Sequence, residues 1–150
     1  MSLLFSRSCE YGIQATIFIA LQPNDNLVSI KDISKKLNIP SPYLAKILQS
    51  LSKRGILHSV KGPNGGFKLS RSKELITLKN VVDSIDGLHG FDKCILGFEK
   101  CGAEENLCPV HEYWTEIKAK IINSMLTKSI GELNENLQQR APALVKSLFY

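Results

Sequence analysis

The residue types best suited to bind a metal lie between Cys94 and His111. Cys94, Cys101 and Cys108 are separated by six residues each, and His111 follows Cys108 by three positions. Thiolate and imidazole ligands suit zinc or an iron–sulfur cluster. Structural zinc sites usually contain pairs of cysteines with only two to four residues between them, and this segment has no such pair. The wide, even spacing therefore favours a cluster of two or four irons.

Other roles for these cysteines are also open. They could be three unrelated residues of a flexible loop, or a thiol enzyme could use one of them with His111 or His89. An enzyme of that kind needs a pocket and an orienting group, which the sequence does not mark, so we do not expect an enzyme.

The N-terminus lacks a basic stretch before an apolar core, and no apolar run approaches about 18 residues. We therefore expect a cytoplasmic protein with reduced cysteines and no contact with membranes.

The whole chain has a net charge of +5, and its basic residues are concentrated in one part of it. Lys31–Lys73 contains ten lysines and arginines and one acidic residue, Asp32, whereas the remainder contains nine basic and thirteen acidic residues. Such asymmetry indicates a nucleic-acid-binding surface on the basic half. A lysine-rich surface that is merely solvated is the alternative, as is an adaptor that does not bind DNA.

Two short helices in this basic half form a predicted helix-turn-helix. The first is capped by Ser29, and the second is expected to be capped by Ser41, with Pro42 at its first position. The second helix has an apolar face at helical spacing and ends at Gly55. That face consists of Leu44, Ile47, Leu48 and Leu51.

After Gly55 the helical spacing of apolar residues gives way to two short strand-like runs, which predicts a β-hairpin. Ile56–Val60 and Phe67–Ser70 flank a turn rich in glycine, proline and asparagine. A hairpin directly after a helix-turn-helix is the wing of a winged helix, and a further helix capped by Thr77 follows. We therefore predict a mainly α fold with a small β-hairpin wing. Its expected parts are a winged helix-turn-helix domain (1–86), a cysteine loop (87–108), a dimerisation helix with a short helix after it (109–137) and a tail (138–150).

The outward face of the second helix would enter the major groove of double-stranded DNA. We expect Tyr43 and Lys46, near its N-terminus, to contact base edges, and other basic side chains to contact phosphates. Lys61, Asn64 and Lys68 belong to the wing. The expected DNA-binding residues are Ser41, Tyr43, Lys46, Gln49, Lys53, Arg54, Lys61, Asn64 and Lys68, and Ser50 is placed on the same outward face.

A longer helix is predicted from Pro109 to about Thr127. Its apolar stripe is Val110, Trp114, Ile117, Ile121 and Met125. So small a winged helix has little surface to cover about 28 Å of helix, so we expect this helix to pair two copies of the chain. Ser129 and Glu132 form a capping box for a last short helix through Leu137.

The order of these motifs resembles the IscR/NsrR/CymR family of dimeric bacterial winged-helix transcription regulators. The resemblance rests on "EYGIQA", "IPSPYLAKILQSLSKRGIL", "VKGPNGGFKLSR" and "CPVHEYW", and it covers roughly residues 3–137. It implies a homodimer that binds operator DNA, as a repressor or an activator. Cys94, Cys101 and Cys108 would then hold an iron–sulfur cluster, expected to be 2Fe–2S. Such a cluster senses iron–sulfur status, redox state or nitric oxide.

The fourth ligand differs among members of that family. One branch uses a histidine just beyond the third cysteine, matched by His111, and others use an acidic residue of the other subunit's first helix, matched by Glu10. We prefer His111, and Cys9 is expected to be a small packed residue.

The chain departs from the family pattern in three ways. The cysteines are more widely spaced than in many members, position 45 is alanine, and Lys61 replaces the usual arginine. The remaining alternative is a zinc-stabilised or cofactor-free winged-helix repressor controlled by a partner or by thiol redox.

Overall fold

The described part of the chain is mainly helical, with one small hairpin. The computed structural model describes residues 4–23, 26–99, 101 and 108–149. The helices are α1 Arg7–Leu21, α2 Ile30–Leu37, α3 Ser41–Lys53, α4 Leu78–Ile85, α5 His111–Lys120, α6 Ile130–Arg140 and α7 Pro142–Phe149, and the strands are β1 Leu57–Val60 and β2 Gly66–Leu69. Within those ranges no helix is long and apolar enough to cross a membrane.

The helix-turn-helix is formed by α2 and α3. The Ser29 hydroxyl accepts the N–H of Asp32 at 3.1 Å, which confirms the predicted cap of α2. The predicted cap of α3 is wrong, because Ser41 is already helical and makes no capping bond. Pro40 occupies the capping position instead, since its carbonyl accepts the N–H groups of Tyr43 and Leu44 at 3.1 and 2.9 Å.

A glycine in the left-handed region ends α3, as predicted. Gly55 has a φ of 72°. Its N–H bonds to the Ser52 carbonyl at 3.1 Å and that of Ile56 bonds to the Leu51 carbonyl at 2.9 Å. These two bonds form a Schellman motif, which satisfies carbonyls that the helix end leaves free. The chain then turns directly into β1.

The wing is an antiparallel pair of strands, as predicted. Leu57 pairs with Leu69, and His58 pairs with Lys68. Val28, between α1 and α2, forms an isolated bridge to Phe67 and so joins the hairpin to the helices. The apolar face of α3 is buried between α1, α2, α4 and β1, again as predicted. Its members Leu44, Ile47, Leu48 and Leu51 are at most 5% exposed.

The predicted helix from 109 to 127 differs from the observed structure. The α-helix starts at His111, and after Lys120 the chain forms a π-helical turn over Ile121–Met125. The Leu126 N–H bonds to the carbonyl of Ile121, five residues earlier, at 3.0 Å. This wider turn shifts the register of the helix, so one apolar stripe does not continue through it.

Helix α6 packs back onto the winged domain, where it contacts α1. The capping box of Ser129 and Glu132 is confirmed by bonds of 2.8 and 3.1 Å. Helix α6 extends beyond Leu137 to Arg140, and a further helix, α7, occupies the tail. The Ile130 N–H bonds to the Ile76 carbonyl at 2.7 Å, and Ile130 is completely buried in the main core.

Candidate metal site and nucleic-acid interface

The three clustered cysteines converge in the folded chain. The sulfur atoms of Cys94, Cys101 and Cys108 all lie within 4.8 Å of one another. Cys94 Sγ is 3.6 Å from Cys108 Sγ, and Cys101 Sγ is 3.1 Å from Nδ1 of His111. His111 is the first residue of α5, and its N–H bonds to the Cys108 carbonyl at 3.1 Å. Three thiols therefore converge beside the start of α5, and the imidazole of His111 contacts one of them, Cys101.

This donor set fits either a single metal ion or an iron–sulfur cluster. A zinc ion with Zn–S bonds of about 2.3 Å holds its tetrahedral ligands about 3.8 Å apart, close to the Cys94–Cys108 separation. In a two-iron cluster, each iron takes two protein ligands. Donors on different irons must lie farther apart than those on one ion, so the loop has to open slightly around a cluster. Residue types alone permit both occupants.

The thiols of this site differ in acidity. Burial opposes ionisation of Cys94, but hydrogen bonds from the backbone at Phe98 and Leu96 and from the thiols of Cys101 and Cys108 together outweigh it and lower the pKa of this thiol to about 7. Burial, together with the neighbouring thiols of Cys94 and Cys108, raises the pKa of Cys101 to about 12. An incoming metal must therefore displace protons from this site, because thiolates are its ligands.

The alternative ligand Glu10 and the fourth cysteine, Cys9, lie on α1. Cys9 is completely buried among apolar residues, which confirms that it is a packed residue, and burial raises its pKa to about 12. The Glu10 carboxylate pairs with Arg7 at 3.0 Å within its own chain. A role for Glu10 in the site of a second subunit stays a prediction, because it requires two chains.

The predicted DNA-binding residues lie on α3 and the wing. Tyr43, Lys46, Gln49, Lys53, Arg54, Lys61 and Asn64 are exposed, and Ser41 and Lys68 are half-buried. Lys68 lines a polar groove together with His58, Arg71 and Lys73. Of these four residues, only Lys68 was expected to contact DNA. The placement of Ser50 on the outward face is wrong. Its hydroxyl donates to the Ser84 carbonyl at 3.0 Å and so faces α4.

Tyr43 has contacts that the sequence did not reveal. Its hydroxyl is 2.5 Å from the hydroxyl of Ser8, and its ring meets that of Tyr11 edge-on, with centroids 5.8 Å apart. Tyr43 nevertheless remains 38% exposed. The first turn of α3 therefore rests on α1 and presents part of this ring to solvent.

The predicted apolar stripe of the long helix divides into two sets. Ile117 and Met125 are 51% and 37% exposed. Trp114 is half-buried, and its indole N–H donates to the Lys93 carbonyl at 3.0 Å, which holds α5 against the cysteine segment. Ile121 is half-buried against a second apolar cluster of its own chain, formed by Cys9, Leu78, Val82, Phe91 and Leu126. Tyr113, 70% exposed, was not part of the predicted stripe.

Comparisons with known proteins point to a family of transcriptional regulators. The model of the Rrf2 family, described as "Iron-dependent Transcriptional regulator", matches residues 5–136. A relative in Aquifex aeolicus, classed among HTH-type transcriptional regulators, is 38% identical over 132 residues, 87% of this chain and 91% of its own length. The HTH-type transcriptional regulator IscR of Erwinia tasmaniensis is 29% identical over 127 residues, 85% of this chain and 76% of its own.

A solved structure shares the fold. CymR, the global cysteine regulator of B. subtilis, superimposes with a TM-score of 0.74 at 21% identity, over 90% of this chain and 98% of its own. At this identity the likeness supports the winged-helix fold alone.

Proposed function

Since this chain belongs to the Rrf2 family of transcriptional regulators, we propose that it binds operator DNA as a homodimer under the control of a metal centre on its cysteines. The family and the relatives are regulators and not enzymes, in agreement with the sequence. The observation that carries the proposal is the convergence of three thiols and His111 at the start of α5.

The centre we propose is an iron–sulfur cluster, 2Fe–2S, held by Cys94, Cys101 and Cys108. His111 is the proposed fourth ligand, because its imidazole already lies 3.1 Å from Cys101 Sγ. The alternative fourth ligand is Glu10 of a second copy. When bound, the cluster supplies a centre that responds to oxidants, nitric oxide or iron–sulfur supply.

Ligation affects DNA binding through the position of α5. Cys108 and His111 lie at its first turn, and Trp114 holds it to Lys93, next to Cys94. A metal centre that holds Cys94 and Cys101 close to Cys108 therefore also fixes α5. In a dimer formed through α5, this helix sets the distance between the two copies of α3, the recognition helix of each subunit, and half-site spacing tolerates little error. A coupling of about 1–3 kcal/mol would change operator affinity about 5- to 150-fold.

The DNA surface combines base contacts with phosphate contacts. Lys46 and Gln49 are exposed on α3 and can donate to guanine and adenine edges, respectively. Lys53, Arg54 and Lys61 are also exposed and suit phosphates, which position the protein without reading sequence.

A single zinc ion is the second candidate. The observation that favours it is the mutual distance of the three sulfurs, all within 4.8 Å, which matches ligands of one ion. In this case the site stabilises the loop, and control comes from a partner or from oxidation of the thiols.

Anaerobic purification separates these two candidates. A cluster gives visible absorbance, equal amounts of iron and acid-labile sulfide, and a Mössbauer spectrum that identifies its type, whereas zinc gives no colour.

Serine at Cys94, Cys101 or Cys108 should abolish the cluster, and serine at Cys9 is the matched control that should retain it. His111→Ala and Glu10→Ala identify the fourth ligand, because loss of the true ligand shifts the spectrum.

Control of DNA binding by the metal centre is tested by a second measurement. Operator binding of loaded and metal-free protein is compared by fluorescence anisotropy at one salt concentration. Equal affinities would show that the metal centre is not the switch, whatever its ligands are. A colourless protein with one zinc per chain would refute the cluster in favour of zinc.

A further inference from the structure

The first turn of α1 contacts both the recognition helix and the region of the cysteines. At one end, the hydroxyl of Ser8 lies 2.5 Å from that of Tyr43, across 35 positions of sequence. At the other, the Ser6 N–H donates to the Asp86 carboxylate at 2.9 Å, across 80 positions, and the Ser6 hydroxyl donates to the same carboxylate. Two residues of one turn therefore connect distant parts of the chain.

At the recognition end, α1 determines how Tyr43 is oriented. The Tyr43 ring meets Tyr11 at 82°, an edge-on arrangement favoured by aromatic pairs. The Arg7 guanidinium lies 4.9 Å from the centroid of the Tyr11 ring. Tyr43 is in the first turn of α3, where side chains are best placed for base edges. A small displacement of α1 would therefore move a side chain at the DNA surface.

At the other end, Asp86 is next to the cysteine segment. It follows α4 and lines a cavity of about 270 Å³ together with Leu4, Lys93, Cys94 and Trp114. The walls of this cavity thus come from the residues just before α1, the end of α4, the cysteine segment and α5. Cys94, Asp86 and Leu4 line the same cavity, so a shift of Cys94 on ligation changes the shape of the space beside Asp86 and Leu4.

We propose that the first turn of α1 links the cysteine site to the recognition helix, with Ser6 held by Asp86 and Ser8 holding Tyr43. Ser8 is a positioning residue in this scheme, since it acts on the operator through Tyr43. The inference rests on the proposed control of DNA binding by a metal centre, and it names the contacts through which that control reaches α3.

Ser8→Ala removes the hydroxyl that meets Tyr43 and leaves the metal ligands intact. Metal content and visible spectrum should match those of the natural protein. The ratio of operator affinities between loaded and metal-free protein should fall by about 3- to 10-fold, the range that one hydrogen bond supports. Tyr43→Phe should cause a similar fall. Ser8→Thr keeps a hydroxyl at this position and should restore the ratio.

The double variant Ser8→Ala/Tyr43→Phe tests whether the two residues act as one unit. Its ratio should be no lower than that of the more affected single variant. An unchanged ratio in Ser8→Ala, or additive effects in the double variant, would overturn the link. A ratio of one in the natural protein would instead refute metal control itself, and the link with it. If Ser8→Ala unfolds by circular dichroism, Tyr43→Phe and Ser8→Thr decide the question.

Discussion

Ile117→Ala tests whether two copies of the chain associate through the outer face of α5. Ile117 is 51% exposed, and Tyr113, four positions earlier and on the same face, is 70% exposed. Ile121 is unsuitable for this test, because it packs against apolar residues of its own chain. A substitution there would damage the monomer and the dimer together.

The expected effect follows from the exposed fraction of Ile117. Fully burying a side chain of this size contributes about 1.5–3 kcal/mol, and about half of Ile117 remains to be buried. Each subunit therefore contributes about 1 kcal/mol through this residue. A twofold interface contains the residue twice, so Ile117→Ala should cost about 2 kcal/mol. The dimer dissociation constant should rise about 30-fold. Ile117→Glu should give monomers, because a buried unpaired charge adds a larger cost.

Sedimentation equilibrium over a dilution series measures this constant. The matched control is Leu75→Ala, since Leu75 is 66% exposed but lies in the winged half, and it should leave the constant unchanged. If Ile117→Ala and Ile117→Glu both retain the dissociation constant of the natural protein, α5 is not the dimer interface.

Four other substitutions or measurements test the fold and the surface. Leu48→Ala, at a completely buried position, should lower the free energy of unfolding in urea by about 2–5 kcal/mol, and a loss under 1 would contradict the core. Ser129→Ala should cost about 1 kcal/mol in the same assay, because it removes the capping box, and no loss would contradict that role. Cys9 should resist alkylation at pH 8 until the protein unfolds, since it is buried and its pKa is raised to about 12; mass spectrometry showing its rapid labelling in folded protein would contradict this. Lys61→Ala should reduce the salt slope of DNA binding by about 0.9, one phosphate contact, without changing operator preference, and an unchanged slope would place Lys61 away from phosphates.

Elements defined by neighbouring residues could be predicted from the sequence. The cap at Ser29, the stop at Gly55 and the capping box at Ser129 each depend on hydrogen bonds between residues at most five positions apart. The buried face of α3 depends on the spacing of its apolar residues, and it was predicted correctly. The winged-helix fold followed from the order of these elements.

Predictions failed where a distant segment or a local hydrogen bond competed with the pattern. Ser50 was placed on the outward face by helical spacing, but the Ser84 carbonyl of α4 accepts its hydroxyl. The apolar stripe after Pro109 predicted one regular helix, but a π turn at Ile121–Met125 divides it. Only packing on the rest of the chain decides which side of this helix is covered.

The sequence by itself determined the fold class, the basic half and the residue types of the cysteine site. Tertiary structure alone brought three sulfurs within 4.8 Å, placed His111 beside Cys101 and joined Ser8 to Tyr43. The physical reason is the range of the interactions. Caps, turns and periodicity arise between residues a few positions apart, whereas these contacts join residues 7 to 35 positions apart. Their distances depend on how several helices pack together, and no local pattern encodes that arrangement.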